Sequence, residues 1–163
     1  NSEIANLYKH NIIINDIRNI SGNDFKNYDL IVGSPPCRDF SVQAKMAFRK
    51  GNPWKVPPDP EGKGLELVND FLRFVKEAEP KFWLMENVVG LSKYLQLEPR
   101  MKCRLMGNKI RLFWGNFPIF NVPYTKGISM RYSGKFRSPL NAKIPLPVAR
   151  ALGKAVREAI EGI

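Results

Sequence analysis

Residues 28–33, Tyr-Asp-Leu-Ile-Val-Gly, run straight into Ser34-Pro35-Pro36-Cys37-Arg38-Asp39-Phe40-Ser41. The apolar run reads as a buried strand bounded by turn signals. Two consecutive prolines then fix φ and remove two backbone donors, so sheet pairing must stop and the strand must open into a rigid turn. A single thiol is thereby presented at the carboxyl end of a strand, where open α/β sheets build their sites. A buried structural cysteine in a tight loop would satisfy the same residues, because free cysteine is among the most buried residue types. The junction alone leaves both readings open.

A second junction bears on that choice. Lys81-Phe-Trp-Leu-Met-Glu-Asn-Val-Val-Gly-Leu91 is another apolar, strand-like run, and it closes on Glu86-Asn87. A carboxylate at the end of a buried strand must be paired or protonated if it cannot reach water. A thiol and a carboxyl group are thus expected at the same edge of one sheet.

The rest of the pattern supplies that sheet. Residues 11–15 and 29–33 read as short parallel strands, and residues 82–85 and 110–114 as two more. Between them Leu65, Val68, Phe71, Leu72, Val75 and Ala78 recur at helical spacing, and Pro80 stops that helix. Residues 145–160 read as a closing helix with Val148, Leu152, Val156 and Ala159 inward. Strand, helix, strand order with buried runs implies an α/β, doubly wound, mostly parallel sheet.

Pro35-Pro36-Cys37 followed by Glu86-Asn87-Val88, each closing a strand, resembles the catalytic signature of the C5 cytosine-specific DNA methyltransferases. Ile13-Ile14-Asn15-Asp16-Ile17 is similar to that family's strand ending in Asp-Ile, and Gly107-Asn-Lys-Ile-Arg-Leu-Phe-Trp-Gly115 to its arginine motif. There Arg111 matches the second arginine, Lys109 stands in place of the first, and the leading Gln is missing. The ending Phe113-Trp-Gly-Asn-Phe-Pro118 looks most like the animal de novo branch. Residues 140–149 resemble the last motif, a turn opening a helix.

The resemblance implies an S-adenosylmethionine-dependent methyltransferase, Rossmann-like, fold and a set of roles. Cys37 would add to C6 of a flipped-out cytosine, Glu86 would hold the N3 edge, and Arg111 would steady the base carbonyl and orient the carboxylate. Pro36, Arg38, Ser41, Asn87, Val88 and Lys109 would contact the substrate. Asp16 would take the adenine amino group of S-adenosylmethionine, with Ile17 against the ring and Pro35, Asn141 and Ile144 completing the cofactor set. No metal is implied.

Two of the family's parts have no counterpart in these residues. The glycine-rich Phe-x-Gly-x-Gly turn is one, so the fold is expected to be incomplete at the N-terminus, and Glu3 is a poor match for the ribose carboxylate. The other is the target-recognition domain, for which only residues 119–139 stand available. This stretch has Tyr124, Lys126, Arg131, Tyr132, Lys135 and Arg137 but too few apolar residues for a core. The expectation is therefore one catalytic domain over residues 1–163, with residues 119–139 as a reduced DNA-contact segment. Another chain or segment would supply the cofactor and recognition motifs. Residues 1–163 alone are expected to bind DNA without turnover.

Charge agrees with duplex DNA as partner. Lys and Arg number 26 against 15 Asp and Glu, a formal net charge of +11, as expected of a chain that meets phosphate. Arg38, Lys45, Arg49, Lys50 and Lys55 gather after Cys37 with Phe48 and Trp54 among them. Residues 38–58 are accordingly expected to form a mobile clamp that closes over the flipped base.

Other classes are less well served. Cys37 and Cys103 give no disulfide framework and point to reduced thiols and an intracellular setting, cytoplasm or nucleoid in a prokaryote or nucleus in a eukaryote. Cys103 carries no motif, and the lone His10 reads as a helix-end residue rather than a metal ligand. No apolar run reaches the ~18 residues of a membrane span. A thiol hydrolase would want a histidine base beside Cys37, and an amino-group methyltransferase would need no thiol. A catalytically silent DNA-binding or regulatory relative, or one part of a split enzyme, is the alternative to an active cytosine methyltransferase.

Overall fold

A computed structural model describes residues 13–49, 57–105, 109–122 and 146–162. Its strands are β1 (Leu30–Gly33), β2 (Phe82–Val88), β3 (Met101–Leu105) and β4 (Lys109–Asn116), and its α-helices are α1 (Val42–Arg49), α2 (Leu65–Ala78) and α3 (Leu146–Glu161). The strands form one sheet in the order β1-β2-β4-β3. β1 and β2 run parallel, with Leu30 opposite Phe82 and Gly33 opposite Met85. β4 is antiparallel to both β2 and β3. The sheet is α/β and mixed. Of the expected strand at 11–15, residues 13–15 carry no strand pairing and residues 11–12 lie outside the described residues.

Alternation along the strands sends side chains to two cores. One face carries Met85, Leu112 and Trp114 against Val68, Phe71 and Val75 of α2. The other carries Leu84, Cys103 and Phe113 against Val148, Leu152 and Val156 of α3. Helices on both faces are what the near-continuous apolar character of β2 and β4 requires. Each fully buried aliphatic or aromatic side chain contributes roughly 1.5–3 kcal/mol relative to exposure. Of the four α3 residues expected inward, Ala159 is exposed, since it lies in the last turn beyond the edge of the core.

α2 forms where its apolar spacing places it, and Glu79 ends it. The Glu79 backbone takes a left-handed φ of 48° and returns its N–H to Val75 O, after which Pro80 cannot continue the helix. On β4, Gly115 has φ 136°, and a Cβ there would come within 2.1 Å of Trp83 O. This is a position that only glycine fits without strain.

Three elements differ from expectation. β2 runs three residues beyond Met85, so Glu86 and Asn87 lie within the strand rather than after it. β3 is a strand no periodicity announced. Residues 42–49 of the expected clamp form α1, while residues 50–56 lie outside the described residues. The base of this excursion is closed, because Asp39 Oδ1 accepts the Asp59 backbone N–H at 3.0 Å. In residues 119–139, only 119–122 are described. Phe120 there packs on Phe113 and Phe117 with ring centroids 6.1 and 6.0 Å away, so the stretch begins packed on the core.

Candidate active site

Because β1 and β2 are parallel and in register at Gly33 and Met85, Ser34, the first residue past β1, comes beside Glu86, which continues in β2 opposite Phe113 of β4. The Ser34 hydroxyl donates to Glu86 Oε2. From β4, Arg111 Nε lies 2.5 Å from Glu86 Oε1. Both carboxyl oxygens are therefore held, one by a neutral hydroxyl and one by a guanidinium. Glu86 is 8% exposed, and a carboxylate this enclosed needs such partners to offset its lost hydration. It points to the face of Leu84 and Phe113 but lies at the strand end, beyond that core.

Asn87 points the other way and is fully buried. Its Nδ2 donates to Pro35 O at 3.0 Å, and its Oδ1 accepts the Val88 N–H at 2.8 Å. The two junctions seen in the sequence are thus bonded to each other, carboxyl group on one side of β2 and amide on the other. Pro35 is buried, Pro36 exposed, and Cys37 half-buried and outside any disulfide. Cys37 O accepts the Phe40 N–H at 3.3 Å and Arg38 O the Ser41 N–H at 3.2 Å, so the turn winds directly into α1. α1 is moored by Lys45 Nζ, which donates to Tyr94 Oη at 3.2 Å, and by Phe40 against the Tyr94 ring. It leaves Val42, Met46 and Phe48 exposed.

On the α2 side of the same turn lies a cavity of about 320 Å³ lined by Ile17, Ile31, Gly33, Pro35, Leu67 and Phe71 among others. Ser34 and Pro36 also line it, so the Ser34-Pro35-Pro36 turn is a partition with Glu86 on one side and an apolar slot on the other. Gly33 is part of the floor, and a Cβ there would fall 2.1 Å from Phe71 Cε2.

Ile17 lines that cavity, and Asp16 precedes it in the chain. Asp16 caps the short 3-10 turn Ile17–Asn19 by accepting the Arg18 N–H. The Arg18 guanidinium reaches both Asp16 oxygens at 2.7 and 3.0 Å and Glu66 Oε1 at 2.9 Å. These Arg18 hydrogen bonds, side chain first and backbone second, hold the Asp16 carboxyl down at about 2. A clamp from α2 fixes this segment. Arg73 donates to Ile17 O at 2.9 Å, to Ile20 O at 3.3 and 3.4 Å and to Glu77 Oε1 at 2.8 Å. Glu77 Oε2 in turn accepts the Gly22 N–H at 2.8 Å.

Of the residues expected at a site, the structure brings Glu86, Arg111, Asn87, Val88 and the 35–38 turn to one edge, with Ser41 opening the way into α1. Ile17 and Pro35 line one cavity. Lys109 begins β4 opposite Leu105, and nothing is described of its side chain. Asn141 and Ile144 lie outside the described residues. Ser34 and Arg73 were not anticipated. A serine before two prolines reads as turn chemistry, and an arginine on the polar stripe of an amphipathic helix reads as solvated. Cys103 sits on β3 in the core facing α3, where burial pushes its thiol up. Among the described residues no helix is long and apolar enough to cross a membrane.

Comparison with known proteins points one way. A family model described as C-5 cytosine-specific DNA methylase matches residues 1–98. The type II methyltransferase M.DdeI of Desulfomicrobium norvegicum is 29% identical over 152 residues, covering 86% of this chain and 34% of the relative. The type II methyltransferase M1.HphI of Haemophilus parahaemolyticus is 28% identical over 129 residues, 73% of this chain and 32% of its own length. M.AquIA of Picosynechococcus, also a type II methyltransferase, is 46% identical over 66 residues, 40% of this chain. The chain spans about a third of the length of the first two relatives.

Proposed function

The chain belongs to the C-5 cytosine-specific DNA methylase family, and from that premise we propose that it carries the catalytic centre of a type II DNA (cytosine-5-)-methyltransferase of a restriction-modification system. One observation carries the reading: Glu86 is gripped at both oxygens by Ser34 and Arg111 at the strand edge from which the Cys37 turn departs. A thiol nucleophile and a hydrogen-bonded carboxyl group are the two groups that C5 methylation of cytosine demands.

Cytosine C5 is too weak a nucleophile to take a methyl group directly. The Cys37 thiolate forms a bond to C6, which pushes electron density to C5 and N3, and Glu86 gives a proton to N3 as that charge develops. Arg111 keeps the carboxyl group in place from Oε1. When bound, S-adenosylmethionine supplies an electrophilic methyl group for C5. Loss of the C5 proton to solvent water then breaks the C6–S bond, Cys37 leaves as thiolate, and the N3 proton returns to Glu86.

The described residues fit one part of that co-substrate. The apolar slot holding Ile17 and Pro35 suits a flat adenine ring, and Asp16, next to Ile17 in the chain, suits the exocyclic amino group. Arg18 already engages both Asp16 oxygens, so the amino group would take a remaining lone pair in the carboxylate plane. Because C6 is inaccessible inside duplex DNA, the base must be flipped at a cost of a few kcal/mol. Net charge supports the phosphate contacts that offset this. Exposed Val42, Met46 and Phe48 on α1, with Arg49 at its end, are suited to fill the gap.

The test is covalent trapping on duplex DNA carrying 5-fluorocytosine, with S-adenosylmethionine present. Fluorine blocks the final elimination, so a denaturation-resistant complex is expected with the full-length protein and none with Cys37→Ala. The alternative is that the chain acts as one part of a split enzyme. Trapping that appears only when a second polypeptide is added would favour it, and DNA binding without any adduct would favour a silent relative.

A further inference from the structure

We propose that Ser34 is a positioning residue for Glu86, and that its hydroxyl and Arg111 together confine the carboxyl proton to Oε2. The inference rests on the proposed function and deepens it by naming which atom carries the proton. Arg111 Nε lies 2.5 Å from Oε1 as an ion pair. A guanidinium is always charged and has no acceptor, so a proton on Oε1 would meet that positive charge and find no partner on Arg111. Ser34 Oγ faces Oε2, and a hydroxyl both donates and accepts. It donates to Oε2 while Glu86 is ionised, and turns to accept when Oε2 is protonated.

The consequence is geometric. With Oε1 fixed by a charged donor, the carboxyl plane can rotate only about the Oε1 contact, and Ser34 removes that remaining freedom. The proton passes from Oε2 to the base while Cys37 Sγ bonds to C6. The carboxylate left behind regains the Ser34 O–H as its donor, without reorganisation of water. Ser34 is placed for this by the backbone. Pro35 and Pro36 fix the turn, and the Asn87 bond to Pro35 O at 3.0 Å keeps it against β2. Residue 34 therefore stays beside residue 86 even though no sheet bond joins them there.

The test combines a carboxyl readout with kinetics on the full-length protein. Glu side chains labelled with 13C at Cδ are assigned by Glu86→Gln, and the Glu86 resonance is compared in wild type, Ser34→Ala and Ser34→Thr. A shift in Ser34→Ala with return toward wild type in Ser34→Thr is expected. With it, kcat should fall by ~10- to 100-fold in Ser34→Ala, the loss of a hydrogen bond to a charged group. KM for DNA and for S-adenosylmethionine should stay within about twofold, as for an interaction that matters in the transition state. A Glu86 resonance indifferent to Ser34→Ala overturns the proposal, as does a loss confined to KM or a threonine variant no better than alanine. The trapping experiment is read separately. An adduct with an indifferent resonance leaves the function standing and sinks the role of Ser34. A responsive resonance with no adduct in wild type keeps the bond but sinks the function, and with it the catalytic use of the proton.

Discussion

Asn87 Nδ2 donates a 3.0 Å hydrogen bond to the carbonyl oxygen of Pro35, a residue 52 positions earlier, inside a fully buried pocket. The same side chain accepts the Val88 N–H through Oδ1. One amide thereby satisfies two backbone groups and ties the turn that carries Cys37 to the strand that carries Glu86. The tie acts beyond the sheet pairing of β1, which ends at Gly33.

Asn87→Ala should therefore destabilise the fold by about 1–3 kcal/mol, the cost of leaving a buried donor and acceptor unpaired. Urea denaturation of the variant against wild type measures it. A difference within error would mean that water replaces the amide and that the tie is not structural.

Gly33→Ala should cost a similar amount for a different reason. A Cβ at residue 33 would sit 2.1 Å from Phe71 Cε2, and Phe71 is buried at 5% exposure, with little room to swing away. Overpacking of this kind costs typically about 1–3 kcal/mol. Since Gly33 and Phe71 also line the cavity, calorimetry with S-adenosylhomocysteine should give weaker binding as well. Unchanged melting and unchanged affinity would show that the ring moves freely.

Arg18→Ala should raise the titration midpoint of Asp16. Its folded value of about 2 lies below the ordinary 3.8 because Arg18 donates to the carboxylate. Such a group stabilises the folded state above 3.8 and loses that contribution as pH falls through about 2. Without the guanidinium the midpoint should move up toward 3.8, stopping short where the residue-18 N–H still donates. Carboxyl chemical shifts followed from acid to neutral pH report it, and a midpoint left at about 2 would assign the effect elsewhere.

Alkylation with iodoacetamide at neutral pH should modify Cys37 well ahead of Cys103. Cys103 is 8% exposed among Phe113, Phe117 and Val148, and burial pushes its thiol up, so little thiolate is present there. Peptide masses after timed quenching give the order. Faster labelling of Cys103 would show that β3 opens at the sheet edge.

The elements that sequence predicts well are those whose pattern is local. β1, β2 and β4 announce themselves as apolar runs, α2 and α3 as amphipathic repeats, and the prolines at 35, 36 and 80 mark where elements stop. β3 is missed because Met101-Lys102-Cys103-Arg104-Leu105 alternates over too few residues to stand out from a loop. α1 is missed because its glycine- and proline-containing surroundings and its charges suggest an irregular segment. Its moorings, Phe40 and Lys45 on Tyr94, join distant parts of the chain.

Legible in consecutive residues were a thiol-bearing turn after one strand and a carboxyl group on another strand of an α/β sheet, because strand-ending chemistry is local. The sequence also carried the motifs by which the family is recognised. Which atoms hold Glu86, that Ser34 is one of the holders, that Arg73 clamps residues 17–20, and that the sheet is mixed follow from long-range pairing alone. Hydrogen bonds and strand order arise between residues tens of positions apart, and a one-residue change of register would send Glu86 to the opposite face. No local pattern records such pairings, since they exist only once the strands have been laid side by side.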